Sequence, residues 1–207
     1  EANTLSRPLY DQRLEAGDGG RAALFAGDDA RVLAALQAYP AQRDAFLAAA
    51  RGFAAVYATA NTRFRRVFPD YAPTMPIYLV HSLGEMDGGT RELNGKLVAI
   101  FGADVIARIH SDDTIGPFLD HELFHFHHAR FFPECEALWC ALWAEGLATY
   151  VAAKMNPGAD DRGLLLSEPR PIRPAVDPRF AEAMCLTRTR FDSTDRRDLA
   201  LFFSTGK

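Results

Sequence analysis

His121-Glu122-Leu123-Phe124-His125, followed by Trp143-Ala144-Glu145-Gly146-Leu147-Ala148-Thr149-Tyr150, is the stretch on which the reading of this chain turns. On a helix, residues four apart share one face, with β-carbons roughly 6 Å apart. Two imidazoles at that spacing can share one divalent ion, each at about 2.0–2.1 Å. Glu122 is rotated about 100° from His121, poorly placed as a ligand yet able to reach a water beside the ion. The competing reading makes His121 and His125 ordinary helix residues packed near Phe118, Phe124 and Phe126.

The downstream sequence separates the two readings. A site that keeps a water needs a third protein ligand and an open fourth position. A third histidine six residues past His125, with a glycine three past it, is ruled out by Phe131 and His128. Glu145 stands twenty residues past His125, between Leu142-Trp143-Ala144 and Leu147-Ala148. A carboxylate amid an apolar helix is costly without a partner, and a cation held by the preceding helix is such a partner. His121, His125 and Glu145 are therefore the expected ligands of one zinc ion (Zn2+) per chain, with Glu122 the expected general base. His128, three residues past His125, is expected to support a ligand or to be solvated rather than to bind the ion. Thr149, four past Glu145, either orients a ligand or simply packs in its helix.

Working outward, residues 1–27 read as an arm without apolar period. A helix is expected from Asp28 to Tyr39, stopped by Pro40, and a second from Ala41 to Phe68. Ile77–Val80 and Leu97–Phe101 read as strands, separated by a turn-rich stretch from Leu83 to Lys96. A helix from Pro117 to Arg130 carries the histidines. Pro133 and Glu134 are expected to open the next one, which runs to Met155 and ends at Asn156-Pro157-Gly158. A proline-rich crossing, Pro169 to Pro178, leads to helices at 180–189 and 196–203. The fold expected is α+β, mostly helical, with a small sheet. The chain stops in an apolar run, Leu199 to Phe203, followed by Ser204-Thr205-Gly206-Lys207, and this end reads as an imposed boundary or as disorder, continuation past Lys207 being left open.

Bulk properties exclude several classes. The formal net charge is −4 and the 23 basic residues are scattered, so no nucleic acid is expected as a partner. The most apolar stretch, Ala137 to Ala153, is interrupted by Glu145 and Gly146, so no membrane span is expected. Cys135, Cys140 and Cys185 are too few for a disulfide framework and are expected as half-buried thiols, one bridge being available to an exported chain.

The two segments together resemble the gluzincin group of zinc metallopeptidases, which includes thermolysin-like enzymes and the large zinc aminopeptidases. Glu145-Gly146-Leu147-Ala148-Thr149-Tyr150 is especially similar to the glutamate helix of those aminopeptidases, and Ile77–Lys154 resembles small bacterial zinc-dependent protease domains. The resemblance implies a single zincin-like domain over 1–207, with a helical part at 1–70, a catalytic core at 71–155 and a helical part at 156–207. It implies hydrolysis of a peptide or protein substrate by a bacterial protein; the compartment is not read from the sequence, a periplasmic or secreted one being slightly favoured over the cytoplasm. It also implies that Ala99, Ile100, Phe101 and Gly102 form an edge strand along which a peptide lies by strand addition.

Two departures qualify this. Where the aminopeptidases carry Gly-x-Met-Glu-Asn to hold a free amino group, this chain reads Gly102-Ala103-Asp104-Val105-Ile106, so cleavage at N-termini is not expected. The family's oxyanion-stabilising Tyr or His beyond the glutamate helix is also missing. After Glu145 there is no His, and the only Tyr, Tyr150, is turned about 140° from it. Tyr71, Tyr78, His81, His110 or residues past Lys207 would have to serve. The alternatives are a zinc-bound module that binds peptides or a partner without cleaving, and a zinc hydrolase with a non-peptide substrate.

Overall fold

A computed structural model describes residues 21–132, 135–167 and 170–203 and shows a mostly helical α+β fold. The elements are α1 (Arg21–Val67), β1 (Ile77–Val80), β2 (Thr90–Leu93), β3 (Lys96–Gly102), α2 (Ala103–Ile109), α3 (Ile115–His128) and α4 (Leu138–Met155). There follow α5 (Ile172–Val176), a 3-10 turn (Asp177–Arg179), α6 (Phe180–Arg190) and α7 (Arg196–Phe203). The chain divides into two compact units, Glu1–Ala55 with Thr74–His110, and Val56–Pro73 with Ser111–Lys207. The sheet belongs to the first, and the HExxH and glutamate helices to the second. The expected parts 1–70, 71–155 and 156–207 do not coincide with these units. Of the expected arm, residues 1–20 lie outside the described residues, as do Pro133, Glu134, Pro169 and Ser204–Lys207.

Two expectations about the first third of the chain are corrected. Pro40 does not stop the helix: α1 runs through it without a break, and its first residues, 21–27, were expected in the arm. A mid-helix proline costs about 3 kcal/mol by removing one hydrogen bond and crowding the carbonyl four residues back. Here Pro40 and Leu36 both lie on the exposed face, where water can take up that carbonyl, and alanine-rich sequence on either side favours helix.

The turn-rich stretch hides a strand. Leu93-Asn94-Gly95-Lys96 is a two-residue hairpin turn with Asn94 at φ 53° and Gly95 at φ 71°. Positive φ at both central positions is what a type I′ turn needs, and Asn-Gly supplies it cheaply. The turn lays β2 antiparallel on β3, while β1 pairs parallel with β3 on the other side, giving the order β1-β3-β2. Val98, Ala99, Ile100 and Phe101 are buried, with Leu93, Val98 and Ile100 forming one cluster flanked by Tyr78 and Val80. Phe53 of α1 packs on Phe101 at 5.0 Å between ring centroids. Gly102 admits no side chain, because a β-carbon there would collide with the Met86 carbonyl and the Ser82 side chain. The helix α2 that follows was not expected. Its Asp104 accepts hydrogen bonds from Ser82 N (2.6 Å), Ser82 Oγ (3.0 Å) and Gly84 N (2.7 Å), so it fastens the loop after β1.

In the second unit α3 and α4 pack together. Phe118, Leu119, Leu123, Phe126, Ala148 and Ala152 are buried on these two helices. The end of α1 contributes Phe64, fully buried, whose ring stacks on Phe68 at 4.6 Å and meets Tyr71 edge-on at 4.8 Å. The glutamate helix starts at Leu138, later than Pro133 suggested, because residues 135–137 are not helical. Its first amide groups, Leu138 N and Trp139 N, donate to the carbonyls of Ser193 (2.8 Å) and Phe191 (3.0 Å), which satisfies donors that have no partner inside a helix. Cys135 and Cys140 form a disulfide across this start, leaving Cys185 as a free, exposed thiol. Three separate thiols are thus not what the structure contains.

Candidate metal centre

α3 brings His121 and His125 to one face, with their Nε2 atoms 2.9 Å apart and the rings nearly perpendicular at 78°. α4 brings Glu145 to the same point. Its Oε2 lies 3.2 Å from His121 Nε2 and 3.5 Å from His125 Nε2. A tetrahedral ion with bonds of about 2.0–2.1 Å separates its ligand atoms by about 3.3 Å. The three edges found here, 2.9, 3.2 and 3.5 Å, scatter about that value. Two nitrogens and one carboxylate oxygen converging this closely form a donor set that can hold a metal ion.

Glu122 is buried, and one of its carboxylate oxygens lies within 4.8 Å of the histidine nitrogens. Glu122 and Glu145 thus both approach the pair. Glu145 is the carboxylate at ligand distance, while Glu122 projects from α3 about 100° away from His121. The Glu145 side chain is 50% exposed against 10% for His121, so one side of the cluster opens to solvent.

Electrostatics follow from this grouping. Burial opposes charge on Glu145, but hydrogen bonds from His121 and His125 and their charges outweigh it and hold the carboxyl well below its usual range. Burial would lower the His125 pKa, yet the bond and charge of Glu145 and the charge of Glu122 raise it overall. The two directions are the two sides of one coupling, a carboxylate set beside two imidazoles.

The supporting residues divide. Thr149 Oγ1 lies 3.5 Å from His121 Nδ1, a long contact on the side away from the cluster. His128 faces elsewhere: its ring stacks between Phe124 (5.4 Å) and Phe132 (4.8 Å), and burial together with His125 and His127 lowers its pKa. Among the oxyanion candidates, Tyr71 is buried in the aromatic cluster of the second unit. In the first unit, His81 Nδ1 lies 3.5 Å from Asp104, and the buried His110 ring meets Asp87 at 3.2 Å. Tyr78 is half-buried on β1.

The edge-strand expectation is corrected. Ala99, Ile100, Phe101 and Gly102 lie in β3, the central strand, paired along β1 from Ile77↔Ala99 to Val80↔Gly102. On the other side Ile100 N donates to the Gly89 carbonyl and Gly102 N to that of Asp87, both at 2.9 Å. With both sides taken, strand addition to this segment has no free ladder to join.

Sequence reasoning missed the polar group behind the ligands: Asp120, fully buried, with Arg63 and Asn156 bonded to it. Its signal was a carboxylate directly ahead of the motif in an apolar helix. Burial raises the Asp120 pKa even against the bonds from Asn156 and Arg63.

No protein-family model matches the chain, and neither a curated protein nor a solved structure matches it. Among the described residues no helix is long and apolar enough to cross a membrane.

Proposed function

We propose that the chain is a zinc-dependent peptidase of the gluzincin type, acting on a peptide or protein. The observation that carries the reading is the triangle of His121 Nε2, His125 Nε2 and Glu145 Oε2, with edges close to those of a tetrahedral site. Zinc held there would bring the pKa of a water toward about 7 and polarise a carbonyl. The work of the chain's own residues is proton transfer and placement. Glu122 accepts the proton of the attacking water as its oxygen bonds to the carbonyl carbon. It then gives that proton to the departing nitrogen as the C–N bond breaks. The buried setting of Glu122 raises the leverage of such a transfer, since few waters compete for its carboxylate.

A second reading, a zinc-bound module that holds peptides without cleaving them, is favoured by one specific observation. In the second unit Tyr71 is buried, Tyr150 is turned away from Glu145, and His127 and His128 sit among phenylalanine rings. None of these four side chains is thus offered to a tetrahedral oxyanion, and loss of such a donor costs about 2.7–4 kcal/mol of barrier elsewhere.

Glu122→Gln separates the two. The amide is nearly isosteric and cannot take a proton, so zinc content should stay near one per chain while peptide cleavage is lost. Wild-type protein that carries zinc and cleaves no peptide from a mixed library supports the second reading. A Glu122→Gln variant as fast as wild type removes Glu122 from the chemistry.

A further inference from the structure

Asp120 stands directly before the first histidine, and its side chain is fully buried. A buried carboxylate is tolerated only where charge and hydrogen bonds answer it. Its Oδ2 accepts from Arg63 Nη2 at 2.6 Å and from Asn156 Nδ2 at 2.7 Å. The same Arg63 nitrogen donates to the Gly116 carbonyl at 3.2 Å, in the first turn of α3. The guanidinium lies close over that turn, because a β-carbon on Gly116 would come within 3.3 Å of it. Asn156 is the residue that closes α4. Its backbone N–H and its Nδ2 both donate to the Ala152 carbonyl, at 3.0 and 2.9 Å. One carboxylate oxygen therefore ties together the end of α1, the ligand-bearing helix and the end of the glutamate helix.

Helix cohesion alone does not call for this group, since apolar side chains of similar volume hold helices together as well or better. What bonds of fixed length add is register. Glu145 meets His121 and His125, Thr149 approaches His121, and Asn156 meets Asp120, so the contacts run in opposite chain directions along α3 and α4. Asn156 lies eleven residues beyond Glu145, about 16 Å along the helix axis. On α4 this second tie lies well away from Glu145, while on α3 it stands one residue before His121. A slip of α4 by one residue moves Glu145 by about 1.5 Å, far beyond the roughly ±0.2 Å that a zinc–ligand bond accepts.

We propose that Asp120, with Arg63 and Asn156, sets the register of the glutamate helix against the HExxH helix and so delivers Glu145 to the two histidines. The proposal rests on the metal-site reading above, and Asp120, Arg63 and Asn156 are positioning residues in it, none of them touching the ion. Asn156→Asp removes the amide donor, and with it the bonds to Asp120 and to the Ala152 carbonyl that hold the end of α4. Asp120→Asn with Asn156→Asp exchanges the partners and restores one carboxylate facing one amide, beside the same guanidinium. Arg63→Gln is an independent variant that removes the cation together with its bonds to Asp120 and to the Gly116 carbonyl.

The test uses the full chain, with folding checked by far-ultraviolet circular dichroism. Zinc affinity is read by competition with a chromophoric chelator, and ligand geometry by the visible spectrum of the cobalt(II)-loaded protein. Asn156→Asp should bind zinc roughly tenfold or more weakly, the usual scale for residues that orient ligands, with an altered cobalt spectrum. Arg63→Gln should move both readouts in the same direction, and it carries the comparison if Asn156→Asp fails to fold. The exchanged double variant should recover much of the affinity and spectrum lost in Asn156→Asp, short of wild type because a carboxylate at 156 cannot donate to the Ala152 carbonyl. Wild-type affinity and spectrum in the folded single variants overturn the proposal, and so does a double variant no better than Asn156→Asp. A wild type that binds neither zinc nor cobalt overturns the metal-site reading itself, a result distinct from these.

Discussion

Replacing Glu145 with glutamine keeps the volume of the side chain and removes its charge. Because that side chain is 50% exposed, losing its ion pairs with His121 and His125 in metal-free protein should cost no more than about 1 kcal/mol. With zinc the outcome differs. At a free zinc concentration about 1,000 times Kd, a bound ion stabilises the folded state by about 4.1 kcal/mol. For a chain of this length each kcal/mol moves Tm by about 2–4 °C, so chelation should lower the wild-type Tm by about 8–16 °C. If loss of the third ligand weakens binding about 100-fold, the same zinc stabilises the variant by about 1.4 kcal/mol. Chelation should then lower the variant's Tm by only about 3–6 °C. The assay is tryptophan fluorescence on heating, with and without chelator. Both tryptophans, Trp139 and Trp143, lie on α4 in the second unit, so the signal follows the unit that carries the site. Equal chelator-induced shifts in wild type and Glu145→Gln would falsify the assignment of Glu145 as third ligand.

Three further outcomes check other parts of the structure. Phe64→Ala empties a fully buried ring site and should cost about 3–5 kcal/mol in urea unfolding followed by tryptophan fluorescence; a loss under about 1 kcal/mol contradicts its place in the core. Asp104→Asn should destabilise the chain by about 1.5–3 kcal/mol near neutral pH, measured by circular dichroism in urea. Burial opposes charge on Asp104, but bonds from Ser82 and Gly84 and the His81 charge lower its pKa overall. The effect should therefore be complete above the ordinary carboxyl value of 3.8 and fade as pH falls through the lower folded value, and a difference that grows in acid contradicts it. Titration of unfolded, unreduced protein with a thiol reagent should find one thiol per chain, Cys185, and three after reduction; three before reduction contradicts the Cys135–Cys140 bridge.

What was legible in the sequence was local. The spacing within His121–His125, the apolar setting of Glu145 and the stops at Asn156-Pro157-Gly158 each depend on residues within a few turns of one another. The boundaries of α3, α6 and α7 and the end of α4 fell close to expectation for that reason. The hairpin was missed although its signal was local: Asn94-Gly95 between Leu93 and Leu97 is a strong turn signal, obscured by the density of glycines around it. Pro40 misled because a propensity of about 3 kcal/mol was read as a boundary, whereas exposure and the helix formers around it set the outcome.

The central place of β3 and the Asp120 group failed for a different reason: their partners are far away in the chain. Nothing within Leu97–Gly102 tells an edge strand from a central one, since four buried residues in a row suit either a covered edge or a centre paired on both sides. Asp120 is the more instructive case. The argument that required a cation for Glu145, a carboxylate in an apolar helix, applies with greater force to Asp120, which lies between Leu119 and Leu123 and is more deeply buried than Glu145. Applied there, it demands a second cation and a hydrogen-bond donor. Arg63 stands 57 residues away and Asn156 36 residues away, separations that no helical period connects. The chemistry of a buried carboxylate states that partners exist, and only the fold says which residues they are. That the two carboxylates answer to different cations, an arginine for Asp120 and, on the reading proposed here, a metal for Glu145, is what lets one lock the helices while the other stays open to solvent.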